Sequence, residues 1–466
     1  MNSKMKILLA LMLASVLLFS GCGGNDPVEP EQEAQLEPAP SENVEAAEAS
    51  SLTTEEVQAI VEADDWVLVD TRLNDAYIGW ALEGVSRGGH LPGAVDFSAN
   101  WLVTDHPALD AALEKALDEK GITPDKNILL YDANGTDAQA VKGYLEGKGY
   151  ENLFLYDVNK WADDQSLPMV RYANYHLVVP AYVVNEIIEG RKPETFETAG
   201  EIKIVEASWG EEETSYANGH VPGSFHINTD LVEPPPDWML ADATTLTDFA
   251  LNYGFTVDDT VIVTSEYQMA AYRVAVVLRY MGVQDVRVLN GGLGAWVAAG
   301  YAVETDRHDP VPVTDFGAVI PANPELIVTI DELKNALATD DQFVLVDNRT
   351  WEEHIGETSG YSYHDKAGRI PGAVFGHAGY DDANSLQHFQ NVDMTMRNGD
   401  EIKALWTGEG IDLNKHLSFM CGSGWRAAEV LYYAQVMGLE NTSLYSDGWI
   451  GWSNDPSNPV ETGIPQ

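Results

Sequence analysis

Near the C-terminus an apolar run, Leu417-Ser-Phe-Met420, ends at Cys421, and Cys421-Gly-Ser-Gly-Trp-Arg426 then leads into a helix-like segment, Ala427 to Met437. A strand, a glycine-bearing loop and a helix N-terminus in that order build an anion cradle. The glycines let successive backbone N–H groups turn inward, and the helix dipole adds positive potential. Such a cradle favours a thiolate, which is what a nucleophilic cysteine needs. Arg426 can add a fixed charge on the same rim. A buried cysteine ending a strand is common, but Gly422, Gly424 and Arg426 make poor core.

Cysteine usage supports this reading. The chain holds two cysteines, Cys22 and Cys421. Lys4 and Lys6 precede an apolar stretch from Ile7 to Phe19, too short to span a membrane comfortably and ending in small residues, as an export signal does. Leu18-Phe-Ser-Gly-Cys22 resembles a bacterial lipobox, with Phe19 where leucine is usual. The expectation is a signal peptide over residues 1–21, cleavage before Cys22, and lipidation of Cys22 that anchors an exported protein to one face of the cell membrane. Cys421 is then a lone thiol in an oxidising compartment, with no partner for an internal disulfide.

At 466 residues, the chain is long enough for about three domains. It carries 26 basic and 74 acidic residues, a formal net charge of -48. Removal of residues 1–21 takes away two lysines and no acid, making the balance more negative. Such a surface argues against nucleic acid or anionic lipid as a main partner, and it repels small anions most at low salt. Residues 22–50, rich in Glu, Pro, Ala and Ser, read as a disordered acidic tether.

Beyond the tether the chain repeats itself three times, with a period of roughly 140 residues. Thr53-Thr-Glu-Glu56 and Thr329-Ile-Asp-Glu332 fit capping boxes that open a helix. Buried strands end in acids at Trp66–Asp70, Ile202–Glu206 and Phe343–Asp347. Turns follow at His90-Leu-Pro-Gly, His220-Val-Pro-Gly and Arg369-Ile-Pro-Gly. A second buried strand comes next, at Asn127–Tyr131, Thr260–Thr264 and Leu417–Met420, and each repeat closes on a tryptophan, Trp161, Trp296 or Trp452. Apolar strands alternating with helices imply an α/β fold with a parallel sheet covered on both faces. The expected domains are residues 51–170, 171–310 and 311–466.

Strand-Asp-x-Arg, then Arg-x-Pro-Gly-Ala, then Cys-Gly-Ser-Gly-x-Arg, then Gly-Trp-x-x-Trp resembles the rhodanese (sulfurtransferase) domain. Three copies behind an export signal, with thiol only in the last, resemble exported triple-rhodanese proteins. The resemblance covers about residues 52–466 and implies sulfur transfer. Cys421 would take sulfane sulfur from thiosulfate or a similar donor as a persulfide and pass it to a thiol, cyanide or protein acceptor. The N–H groups of Gly422, Ser423, Gly424, Trp425 and Arg426 would hold the developing charge, and neither metal nor organic cofactor is implied. Phosphatases of related fold place five residues between cysteine and arginine; the four here suit a terminal sulfur better than a tetrahedral oxyanion.

Asp132 and Asp137 stand where the third repeat has Cys421 and Arg426, and Ser265 and Ala270 do so in the second, so both of these repeats are expected to be inactive. Asp347 and Arg349 match the family's Asp-x-Arg, as site support or as a structural ion pair. Glu353 stands where thiosulfate-specific relatives carry an arginine, and Ser423 where they carry a lysine, which weakens the case for thiosulfate. Trp425 either lids the thiol or packs on the second domain. An insertion over residues 357–368 offers Tyr361, Tyr363 and His364 beside the site, or is a solvated loop. His377 and His388 lack ligand spacing, so no metal is expected. A persulfide (or selenium) carrier without fast turnover, and a scaffold with a vestigial third site, remain open.

Overall fold

The apolar runs of the repeats become the central strands of three separate parallel sheets. The structure, a computed structural model, describes residues 51–465 except 237 and 381. The signal segment, the tether and the expected lipidation at Cys22 lie outside these residues. Among the described residues no helix is long and apolar enough to cross a membrane.

The first sheet contains β1 (Trp66–Asp70), β2 (Val95–Asp96), β3 (Asn127–Asp132) and β4 (Leu153–Asp157), in the order β2-β1-β3-β4. The second contains β5 (Val178–Val179), β6 (Ile202–Ser208), β7 (Phe225–Asn228), β8 (Thr260–Thr264) and β9 (Asp285–Leu289), in the order β5-β9-β8-β6-β7. The third contains β10 (Ile327–Val328), β11 (Phe343–Asp347), β12 (Val374–Phe375), β13 (His416–Met420) and β14 (Thr442–Tyr445), in the order β10-β14-β13-β11-β12. The second and third orders are the same. The first lacks only the opening strand, whose trace is an isolated parallel bridge between Ser51 and Leu155.

Local chemistry sets the element ends. Both expected capping boxes form, at Thr53 with Glu56 and at Thr329 with Glu332. A third, Thr350 with Glu353, opens the short Trp351–His354 helix. Each closing tryptophan is buried and donates its indole N–H to a backbone carbonyl shortly downstream: Trp161 to Pro168, Trp296 to Ala302 and Trp452 to Pro459, at 2.8–2.9 Å. A buried indole thereby gains its hydrogen bond and pins the exit of the domain.

The second and third domains share one core. The Gln268–Met281 helix lies against the Trp425–Val436 helix, and both are buried along most of their length. Helices apolar on nearly every side are packed on nearly every side. The first domain has two cores of its own, gives Ala76, Tyr77, Ile78, Trp80 and Leu82 to the shared one, and also meets the third through polar contacts. Lys120 Nζ bonds Asp96 and Glu401, each at 2.7 Å, and Arg397 reaches Glu119 at 2.9 Å.

Candidate active site

In-register pairing of β11 with β13, with Asp347 opposite Met420, brings Asn348 and Cys421 out at the same end of the third sheet. The C-terminal edge of a parallel sheet is where α/β folds place ligands. Gly424 takes a left-handed φ of 96°, which turns the chain from strand into the Trp425–Val436 helix. The Gly424 N–H donates to Cys421 Sγ at 3.2 Å. The carbonyls of Cys421 and Gly422 point away, accepting from Trp449 N–H at 2.8 Å and Ile450 N–H at 3.0 Å. Cys421 is free, and 1% of its surface is exposed, so the thiol sits at the bottom of its cradle. Ser423 is half-buried in the loop.

Arg426 is placed differently from the sequence expectation. It does not stand as an open charge on the rim. Its two terminal nitrogens donate to the two Glu353 oxygens at 2.8 and 2.9 Å, and Nη2 also donates to the Tyr361 hydroxyl at 2.8 Å. Glu353 is fully buried and its Oε2 also caps the Thr350 N–H at 2.9 Å. Glu353, which the sequence shows as a departure from the thiosulfate-specific pattern, therefore neutralises the loop arginine.

The insertion comes onto the site. The Tyr361 ring and hydroxyl lie over Gly422 so closely that a Cβ there would sit 1.9 Å from the hydroxyl oxygen, which is why this position has no side chain. Burial raises the pKa of Tyr361, with Arg426 opposing, so its hydroxyl keeps its proton at neutral pH. Tyr363 packs on Tyr361 with ring centres 5.3 Å apart, and Trp238 of the second domain packs on Tyr363 at 5.9 Å. His364 turns inward to the Ser453 hydroxyl at 2.8 Å. His377 and His388 lie ring to ring, and burial pushes both down to about 4, leaving them neutral.

Trp425 packs on the second domain, donating its indole N–H to buried Glu233. Glu233 also receives Arg273 Nε at 2.8 Å, and Arg273 Nη2 donates to Ser446 Oγ at 2.9 Å. Arg273 Nη1 lies against Gly424, 3.0 Å from where a Cβ would be, and has no hydrogen-bond partner. Sequence reasoning missed Arg273 and Glu233, because nothing along the chain indicates which residue of one domain meets the loop of another.

Asp347 and Arg349 spend their bonds on one another, at 2.8 Å twice, with Arg349 Nη2 also on Gly368 O and Asp347 Oδ2 also on His354 Nδ1. Asp70 and Arg72 repeat this arrangement, including the bond to the Gly89 carbonyl, in a domain without a thiol. The pair ties strand end to turn whether or not a cysteine follows.

The two other loops fill their own cradles. Asp132 Oδ2 accepts from Ala138 N–H at 3.0 Å, and Ser265 Oγ accepts from Tyr267 N–H at 2.9 Å. A resident side-chain oxygen in each takes backbone N–H donation that a substrate sulfur would otherwise seek.

The chain belongs to the rhodanese-like domain family, whose model matches residues 53–163, 188–299 and 329–455. It is similar to the thiosulfate sulfurtransferase YnjE of Escherichia coli K12, 37% identical over 398 residues, 85% of this chain and 88% of that one. The 3-mercaptopyruvate sulfurtransferase of the same organism is 28% identical over 280 residues, 56% of this chain and 92% of that one. Among solved structures, the anaerobic ergothioneine biosynthesis enzyme from Chlorobium limicola, in complex with its natural substrate trimethyl histidine, superposes with a TM-score of 0.84 at 35% identity, covering 89% of this chain and 99% of that one. A structure of EanB carrying a cysteine persulfide, in a tetrahedral intermediate state with ergothioneine, gives 0.84 at 34% identity, covering 89% of this chain and 100% of that one.

Proposed function

We propose that Cys421 accepts sulfane sulfur from thiosulfate or a similar small donor and hands it to a second nucleophile. The thiolate Sγ attacks the donor's outer sulfur; the Cys421 S–S bond forms, the donor's S–S bond breaks, and sulfite leaves with the electron pair. An acceptor thiolate then attacks the outer sulfur of the persulfide and restores the Cys421 thiolate. The observation that carries this reading is the Gly424 N–H on Sγ, at a helix N-terminus whose loop carbonyls are turned away. Arg273 offers the spare cationic N–H beside the loop, because Arg426 is committed to Glu353. That commitment, with the charge of -48, disfavours a dianionic donor at low salt. Double displacement requires parallel lines in initial-rate plots of donor against acceptor. Intersecting lines would contradict it, and release of only one sulfur per chain would favour a carrier.

The acceptor end of the site favours a second reading beside the thiol. Tyr361, Tyr363 and Trp238 form one aromatic run at the loop, and Tyr267 with Trp425 forms another, their rings 6.1 Å apart. Tyr363 and Tyr267 are exposed. Aromatic faces on an acidic protein suit a cationic acceptor, and trimethyl histidine is the natural substrate of the structural neighbour. Trimethyl histidine at millimolar concentration should then unload the persulfide; a persulfide that survives it would exclude this acceptor. We also propose that acyl chains on Cys22 hold the exported chain to the cell membrane, at its periplasmic or extracellular face. A Cys22→Ala chain that still sediments with membranes would contradict that.

A further inference from the structure

We propose that His220, Glu304 and His308 of the second domain form a binding site for a divalent transition-metal ion, of which Zn2+ is the natural probe. His220 belongs to the His-x-Pro-Gly turn before β7, and it is paired through backbone bonds of 3.0 Å in both directions with Glu304, far along the chain. Its Nδ1 lies 2.8 Å from the Tyr216 carbonyl. A carbonyl only accepts, so Nδ1 carries the proton and Nε2 keeps its lone pair, which is the tautomer a metal needs. That Nε2 is fully buried, has no hydrogen-bond partner, and lies 3.6 Å from Glu304 Oε1. His308 Nε2 is 2.7 Å from the same oxygen. The three ligand atoms lie within 4.8 Å of one another, and Glu304 and His308 are half-buried, leaving a side open for water ligands.

Ligands at about 2.0–2.2 Å from zinc stand roughly 3.3 Å apart in a tetrahedron. The His220–Glu304 spacing already fits, and the His308–Glu304 contact must open by about half an ångström as a metal replaces the proton between them. The protein also holds the shell around the ligands. The Tyr216 ring stacks on His220 at 3.7 Å, its hydroxyl accepts the His308 backbone N–H at 3.0 Å, and Gly223 N–H donates to Glu304 Oε1.

The other two domains show that this is not simply how the turn is built. In the first, His90 has the same locked tautomer and the same stacking on Tyr77, but Val170 stands opposite it. In the third, Arg369 stands opposite Glu461 and pairs with it at 3.0 Å. Among the described residues only the second combines a buried imidazole whose Nε2 has no hydrogen-bond partner, an acid and a second histidine. The scattered histidines excluded a metal site in sequence because only the fold brings these three together.

The test is a Zn2+ titration of the metal-free mature chain in a Cys421→Ser background, with excess Mg2+ and salt to occupy the acidic surface. Competition against a chromogenic chelator reads affinity and stoichiometry, and thermal melting gives a second readout. The expected result is one Zn2+ per chain with a rise in Tm, and binding at least tenfold weaker in His308→Gln, whose half-exposed side chain can be changed without unfolding the protein. Co2+ in place of Zn2+ should give visible bands of a nitrogen–oxygen site without thiolate charge transfer. Equal affinity in wild type and His308→Gln, or no stoichiometric binding above the Mg2+ background, would overturn the proposal.

Discussion

The fit between Tyr361 and Gly422 is the tightest constraint on the thiol loop. Any side chain at 422 must expel the phenol, and with it the hydroxyl that Arg426 holds over the cradle. Gly422→Ala should therefore lower kcat/KM by at least tenfold while leaving the far-ultraviolet circular dichroism unchanged. Adding Tyr361→Ala should restore space without restoring the rate, because the hydroxyl is then gone. Wild-type kinetics in Gly422→Ala would show that the loop and tyrosine are not held together in solution. The cysteine, its glycines and the arginine were legible in the sequence because cradle chemistry is local. The partner of Arg426 was not, because Glu353 comes from a different turn and reads alone as a departure from a motif.

At the scale of elements, the Gln268–Met281 and Trp425–Val436 helices carry opposite buried charges at matching places in their domains. Arg273 is answered by Glu233, whereas Glu429 has only Gln390 and Tyr433 as hydrogen-bond donors, and its Oε2 has none. Burial pushes Glu429 up to about 7. An unfolded glutamate titrates near 4.3, so folding takes up a proton between these values and stability falls as pH rises through that window. Above about 7 the cost of the buried charge is fully present, and below about 4 it is absent. Glu429→Gln should raise Tm at pH 8 clearly more than at pH 5; an equal gap at the two pH values would show that Glu429 does not titrate in this window. A helix was expected after the cysteine loop, over Ala427 to Met437, and helices were expected to alternate with the apolar strands. Their mutual burial was not, since the sequence of one repeat does not say which face meets another.

Over the whole molecule, three copies of one plan have diverged in what fills the cradle: a carboxylate, a hydroxyl and a thiol. The repeat plan was legible in its central strands, turns and closing tryptophans, which recur in order and answer to local propensity and burial, but not in two-residue edge strands such as β5, β10 and β12. The contribution of the second domain to the third domain's site, through Glu233, Arg273 and Trp238, was not legible, because it depends on packing between domains. The acidic surface is a property of the chain as a whole and sets the approach of substrates. With thiosulfate as donor, kcat/KM should rise as ionic strength increases from about 10 to about 150 mM, as screening shortens to about 8 Å; a fall would mean that a local positive field at the loop dominates. The central claim is that Cys421 carries sulfur. Intact-mass spectrometry of the purified protein after brief exposure to thiosulfate or mercaptopyruvate tests it most directly, beside Cys421→Ser. The account predicts a gain of about 32 Da in the wild type alone, reversed by added thiol; no gain with either donor, or the same gain in Cys421→Ser, would contradict it.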